Sequence, residues 1–170
     1  MAQDKPIVGI VMGSASDREA MQGCFDVLGE LGIPFEARVI SAHRTPDAAH
    51  AFAAGAPEAG LRVLIAAAGM SAALPGVLAA QTPLPVIGVP MASGPLAGAD
   101  AALSIMQMPP GVPVGCMAIG KAGAKNAALY AAAVLALGDD DLAKRLADYR
   151  AAQAKKVVAS DAELRRETGQ

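Results

Sequence analysis

The residues best suited to chemistry stand together at Ser41-Ala42-His43-Arg44-Thr45-Pro46-Asp47, a stretch holding one of only two histidines. Histidine gives and takes a proton near neutrality, and arginine presents a planar fork of donors that suits phosphate or carboxylate. A proton shuttle therefore stands beside an anion clamp. Gly13-Ser14-Ala15-Ser16-Asp17 offers two hydroxyls at a helix start, whose free amides and positive dipole end suit a phosphate. Asp17 would repel that phosphate, so it reads as an acceptor for ribose hydroxyls or a substrate amine. Gly69-Met70-Ser71-Ala72-Ala73-Leu74-Pro75-Gly76 is a third loop bounded by glycines. Each has a plainer explanation alone: a surface histidine at a helix start, or a capping serine with a dipole-complementing aspartate. The case for a site rests on whether the fold brings the three loops together.

The elements that must position them follow from hydrophobic patterning. Ile7 to Met12 is a continuous apolar run between Pro6 and Gly13, as expected for a strand covered on both faces. Ser16-Asp17-Arg18-Glu19 fits a capping box, and Met21, Phe25, Leu28 and Leu31 follow at helical spacing before Gly32. Phe35 to Ile40 reads as a second strand, and Thr45 with Pro46 as a capped helix start. His43 and Arg44 thus fall in a strand-to-helix loop, where parallel sheets carry function. A helix from Pro46 to about Ala59, a strand from Leu61 to Ala67, a short helix and a strand from Pro85 to Val89 come next. Leu96 to Met106 reads as helix and Val112 to Ile119 as a fifth strand interrupted by Pro113. This alternation predicts a parallel α/β sheet. Right-handed crossovers narrow it to a flavodoxin-like, doubly wound, three-layer α/β/α domain with a C-terminal helical extension. In that order the first three strands are adjacent, so the loops at Gly13-Ser14, Ser41-His43 and Gly69-Ser71 converge.

Composition narrows the partner to a small molecule. The 170 residues suit one domain, taken as 1–159 with a mobile tail at 160–170. A net charge of -2 without a basic cluster, no tryptophan and five other aromatics argue against nucleic acid. No apolar run approaches the ~20 residues that span a bilayer, and Met1-Ala2-Gln3-Asp4-Lys5 has no signal-peptide pattern. A cytoplasmic location, with no membrane partner, is expected. Cys24 and Cys116 lack metal-ligand spacing and read as buried thiols. Gly115 to Lys121 nearly spells a phosphate-binding loop, but Ala122 stands where a magnesium-holding Ser or Thr is needed. His50, inside the second predicted helix, is given no role.

Taken in order, Gly13-Ser14-Ala15-Ser16-Asp17, Ser41 to Pro46, Gln107-Met108-Pro109-Pro110-Gly111-Val112-Pro113-Val114 and Ala118-Ile119-Gly120 through Leu129 are a distinctive set. From about Ile7 to Leu137 the chain resembles the 5-(carboxyamino)imidazole ribonucleotide mutase family of purine biosynthesis, class I type. The resemblance implies a flavodoxin-like subunit, a homo-octamer, a phosphorylated aminoimidazole ribonucleotide as substrate, and no metal or organic cofactor. It also implies Ser14, Asp17 and Arg44 as substrate-binding positions and His43 as general acid and base. Gly13, Ser41, Gly69 and Ser71 complete the candidate binding set from the same loops. The reaction implied is an isomerisation in IMP biosynthesis by decarboxylation and recarboxylation.

One departure matters. Where the bacterial mutases usually carry Gly-Gly-Ala-Ala-His-Leu-Pro-Gly, a histidine is replaced here by Ala73. Ser71 and Ala73 lean toward the related animal-type carboxylases, which use carbon dioxide directly. Arg44, which those enzymes typically replace by lysine, and the segments around Met108-Pro109 and Gly120 lean toward the mutase, which is the expected activity. A flavin-binding electron carrier is a poorer fit, because no aromatic falls in the three loops. A phosphoacceptor module needs an aspartate where this chain has Ala67-Ala68-Gly69.

Asn126 to Leu137 is apolar around nearly its whole circumference, so burial on every side at a subunit contact is expected. Leu142, Leu146 and Tyr149 form a stripe on a polar C-terminal helix, expected to dock on a neighbouring subunit.

Overall fold

The apolar runs beginning at Ile7 and Leu61 lie side by side at the centre of a five-stranded sheet. The structure, a computed structural model, describes residues 5–169; Met1 to Asp4 of the N-terminal reading and Gln170 of the tail lie outside it. Its strands are β1 (Val8–Met12), β2 (Phe35–Val39), β3 (Val63–Gly69), β4 (Val86–Met91) and β5 (Gly115–Cys116). Between and after them run α1 (Arg18–Glu30), α2 (Pro46–Ala59), α3 (Leu74–Ala79), α4 (Ala99–Met106), α5 (Lys121–Leu135) and α6 (Asp140–Glu167). The strand order is β2-β1-β3-β4-β5, and every pairing is parallel. This is the flavodoxin-like order, with the chain reversing direction across the sheet between β1 and β3.

Helices cover both faces, which is why the central strands carry no polar residues. On one face, Met21, Cys24 and Leu28 of α1 and Ala124, Ala127 and Ala128 of α5 pack over Val8, Ile10 and Ile65. On the other, Ala49 and Ala53 of α2, Leu74 and Leu78 of α3, and Ile105 of α4 cover Val11, Leu64 and Ala66. Each fully buried Leu, Ile or Met contributes roughly 1.5–3 kcal/mol. Cys24 is fully buried with them, and burial pushes its thiol pKa up to about 12.

Several boundaries differ from expectation, each for a local reason. The capping box is closed by Ser14, not Ser16. Ser14 is extended, its side chain accepts the Ser16 N–H, and Asp17 accepts the Ser14 N–H across a 3₁₀ turn at Ala15–Asp17. Thr45 precedes α2, but its hydroxyl donates to the Ser41 carbonyl and accepts the Ser41 N–H instead of capping the helix. β3 begins at Val63 because Leu61 closes the end of α2, its N–H donating to the Ala56 carbonyl. α4 begins at Ala99 because Ala97 and Gly98 hold left-handed φ values of +51° and +89°. The fifth strand shrinks to two residues, since Pro113 lacks an N–H and Val112 turns back on the Pro109 carbonyl.

The C-terminal stripe also finds a different partner. A 3₁₀ turn at Ala136–Gly138 folds the chain back, and Leu142, Leu146 and Tyr149 are buried in the core of their own chain. Arg145 Nε secures the packing by donating to the Leu31 carbonyl at 3.0 Å. Beyond Arg150, α6 is almost wholly exposed and stays helical to Glu167.

Candidate active site

Parallel pairing sets the level at which the loops leave the sheet. Met12 is in register with both Val39 and Ala67, so β1, β2 and β3 end side by side. The Gly13 N–H donates to the Ala67 carbonyl and the Ile40 N–H to the Met12 carbonyl, each at 2.9 Å. Ligands in open α/β sheets bind outside the carboxyl ends of the strands, at the reversal of strand order. Here a pocket of about 530 Å³ occupies that place, within the range of roughly 300–1,000 Å³ typical of small-molecule sites.

All eight residues singled out from the sequence line this one pocket: Gly13, Ser14, Asp17, Ser41, His43, Arg44, Gly69 and Ser71. His50 does not line it and is exposed on α2. Lys121 stands outside as well, its Nζ paired with Glu19 at 2.7 Å on the surface.

The first loop is organised by its own side chains. Ser16 Oγ donates to Ser14 Oγ at 2.8 Å, and the Ser14 N–H donates to Asp17 Oδ2 at 3.1 Å. One carboxylate oxygen of Asp17 is thereby engaged with the backbone. Burial pushes the Asp17 carboxyl above the ordinary aspartate range, against the opposing pull of the Ser14 amide and the Ser16 hydroxyl. A half-buried carboxyl beside two hydroxyls and a helix start can accept from hydroxyl or amine donors of a polar ligand.

The second loop is tied to the first through Arg44. Its Nε donates to Ser41 Oγ at 3.3 Å, its Nη2 to the Gly13 carbonyl at 3.3 Å, and its backbone N–H to Ser41 Oγ at 3.2 Å. Ser41 is thus a hub: its backbone meets Thr45 while its hydroxyl holds Arg44. His43 is exposed and lines the pocket, within reach of a bound ligand.

The third loop supplies the apolar wall. Ala72 is buried and Ala73 half-buried, and both line the pocket. Met70 and Ala72 hold positive φ values of +56° and +34°. Gly69 is required by close approach: a Cβ there would collide with the Ser93 side chain. Ser93 lies in the loop after β4, also lines the pocket, and was missed in the sequence. Its signal was positional, since β4 is the next neighbour of β3 and its loop leaves the sheet on the same side.

A doubly wound α/β protein with a mixed polar and apolar pocket of small-molecule size at its switch point is the class these features define. The family model of AIR carboxylase matches residues 7–156, and the chain belongs to that family. It is 59% identical over 151 residues to the N5-carboxyaminoimidazole ribonucleotide mutase of Brucella melitensis, covering 89% of this chain and 93% of that protein. It is 50% identical over 168 residues to the protein of that name from Mycobacterium tuberculosis, covering 99% and 95%. A crystal structure of Treponema denticola PurE superposes with a TM-score of 0.83 at 32% identity, covering 94% of this chain and 98% of that one.

Proposed function

We infer that the chain is an N5-carboxyaminoimidazole ribonucleotide mutase, an isomerase of purine biosynthesis. It converts 5-(carboxyamino)imidazole ribonucleotide to 4-carboxy-5-aminoimidazole ribonucleotide. The observation that carries this reading is the single pocket in which His43 and Arg44 share walls with Ser14, Asp17 and the Ala72-Ala73 segment. The relatives of the same name across nearly the whole chain support it.

In this reading Arg44, Ser14 and Asp17 hold the phosphorylated sugar and its hydroxyls, with Gly13, Ser41, Gly69 and Ser71 shaping the walls. Protonated His43 donates to the exocyclic nitrogen as the N–C bond of the carbamate breaks and carbon dioxide departs. The ring carbon then attacks the retained carbon dioxide, forming the new C–C bond. Neutral His43 removes that carbon's proton, which restores its starting state. One imidazole serves both half-steps, with general acid-base assistance of ~10²- to 10⁴-fold. This accommodates Ala73, whose methyl adds to an apolar wall that holds carbon dioxide away from water. Proton transfer completes each half-step, so no metal or organic cofactor is proposed, and exhaustive dialysis against chelator leaves the rate unchanged.

The test follows the carboxyl carbon. Carbamate substrate labelled at the carboxyl passes its label to the ring carbon with little exchange against unlabelled bicarbonate. Complete washout of label, with fast turnover of aminoimidazole ribonucleotide plus bicarbonate, identifies a direct carboxylase, the activity toward which Ser71 and Ala73 lean.

The assembly proposed is a homo-octamer. Leu96, Leu103, Met106, Tyr130 and Leu137 are all at least half exposed in the single chain, and Tyr130 and Leu137 stand on the side of the apolar segment that the chain's own core leaves open. Sedimentation at micromolar concentration reads out the state, and a monomer overturns it. No helix among the described residues is long and apolar enough to cross a membrane, and the cytoplasm is the proposed compartment.

A further inference from the structure

The loop between β3 and α3 is held in an unfavourable backbone form. Met70 and Ala72 flank Ser71, and both have positive φ, where the Cβ of an L residue crowds a neighbouring carbonyl. Two such residues among three persist only where the surroundings over-determine them. Part of that determination is local, since the Ala72 N–H donates to the Gly69 carbonyl at 3.0 Å and the Ala72 methyl is buried. One further bond arrives from a different element. The Ser104 hydroxyl, on α4, donates to the Ser71 carbonyl at 2.5 Å across 33 positions of sequence. α4 is a firm base for it, because Ala101 and Ile105 on the same helix are fully buried in the core. Ser104 itself lies outside the pocket lining.

We propose that Ser104 is a positioning residue. Its hydroxyl grips the peptide between the two strained residues and keeps the Met70–Ala73 wall closed during the interval when carbon dioxide is free in the pocket. This rests on the isomerase reading above. If the wall opens in that interval, the N–C bond has broken and the proton is already on nitrogen, but no C–C bond has formed. Aminoimidazole ribonucleotide and carbon dioxide then leave as separate products. Ser104 therefore acts on the fate of the intermediate, whereas the phosphate-holding residues of the first two loops act on affinity.

The experiment compares full-length Ser104→Ala and Ser104→Thr with the parent. Alanine is a good helix former and Ser104 is exposed, so the alanine variant keeps its fold, which a melting curve verifies. The alanine variant releases about five-fold more free aminoimidazole ribonucleotide per carboxylated product, the factor that the loss of one net hydrogen bond represents. Its kcat falls while KM stays at the parent value, and threonine restores both partition and kcat. Amide hydrogen exchange over residues 70–73 of the unliganded protein quickens by about the same factor in the alanine variant only. A parental partition in Ser104→Ala, or an equal loss in the alanine and threonine variants, overturns the proposal. If the parent itself does not turn over the carbamate, the isomerase reading fails. The exchange measurement then decides alone, unchanged exchange rejecting a positioning role and faster exchange supporting it.

Discussion

Arg44 Nη2 donates to the Gly13 carbonyl at 3.3 Å, joining the loop after β2 to the loop after β1. Its Nε is engaged with Ser41, so two of the five guanidinium donors hold the frame and three stay available to an anion. The group proposed to clamp the phosphate is therefore also the brace that fixes the distance between the loops after β1 and β2. Arg44→Ala raises KM by about 10- to 100-fold, corresponding to the roughly 1.5–3 kcal/mol of a hydrogen bond to a charged group. Steady-state kinetics across substrate concentration measures this, and an unchanged KM counts against the assignment.

His43 lies in the pocket mouth and contributes nothing to the buried core, so its replacement separates chemistry from folding. His43→Asn melts within a degree or two of the parent, as surface substitutions do, and still binds aminoimidazole ribonucleotide. Turnover drops by ~10²- to 10⁴-fold, the usual range for a lost general acid-base group. Retained turnover in the folded variant removes the central claim.

Met70 combines a φ of +56° with 58% exposure, so its side chain buries little while its backbone sits where glycine is favoured. Relief of left-handed strain is worth roughly 1–2 kcal/mol, and the added freedom of glycine in the unfolded chain costs about 0.5–1 kcal/mol. The balance predicts that Met70→Gly matches or exceeds the parent in thermal stability. A melting temperature lower by more than about 3 °C, near 1 kcal/mol for a chain of this size, contradicts this account of the loop.

Asp17 sets a pH dependence of stability. Burial raises its folded pKa above the unfolded value, so the folded state binds more protons than the unfolded one between the two. Stability from this group is fully present below the ordinary aspartate value of ~3.9 and declines as pH rises through the folded pKa. Asp17→Asn removes the titration while keeping an acceptor for the Ser14 N–H. Urea unfolding from pH 4 to 7 then shows the variant gaining on the parent as pH rises and levelling off once the parent's carboxyl is ionised. A difference that is flat across the range, or that runs the other way, shows that Asp17 is not held as described.

Much of this architecture was written locally. The apolar runs at Val8–Met12 and Val63–Ala68 announce strands buried on both faces, and the strand-helix alternation with right-handed crossovers leaves few topologies for a chain of this length. The three chemistry-bearing loops were recognisable because glycine, serine, histidine and arginine cluster only where strands end. Their convergence followed from sheet order, so eight of the pocket's lining residues were legible before any coordinates. Other features depended on contacts between residues far apart in sequence. Which serine closes the first turn turned on Ser14 being extended in space, since Ser14 and Ser16 are equally good caps by composition. Ser93 and Ser104 reach the third loop from segments that look like ordinary connector and helix, and only the parallel stacking of β3 and β4 sets them beside it. The stripe of Leu142, Leu146 and Tyr149 specifies that an apolar partner exists but not which one, because burial is non-directional. The turn at Ala136–Gly138 decided that, by folding α6 back onto its own subunit.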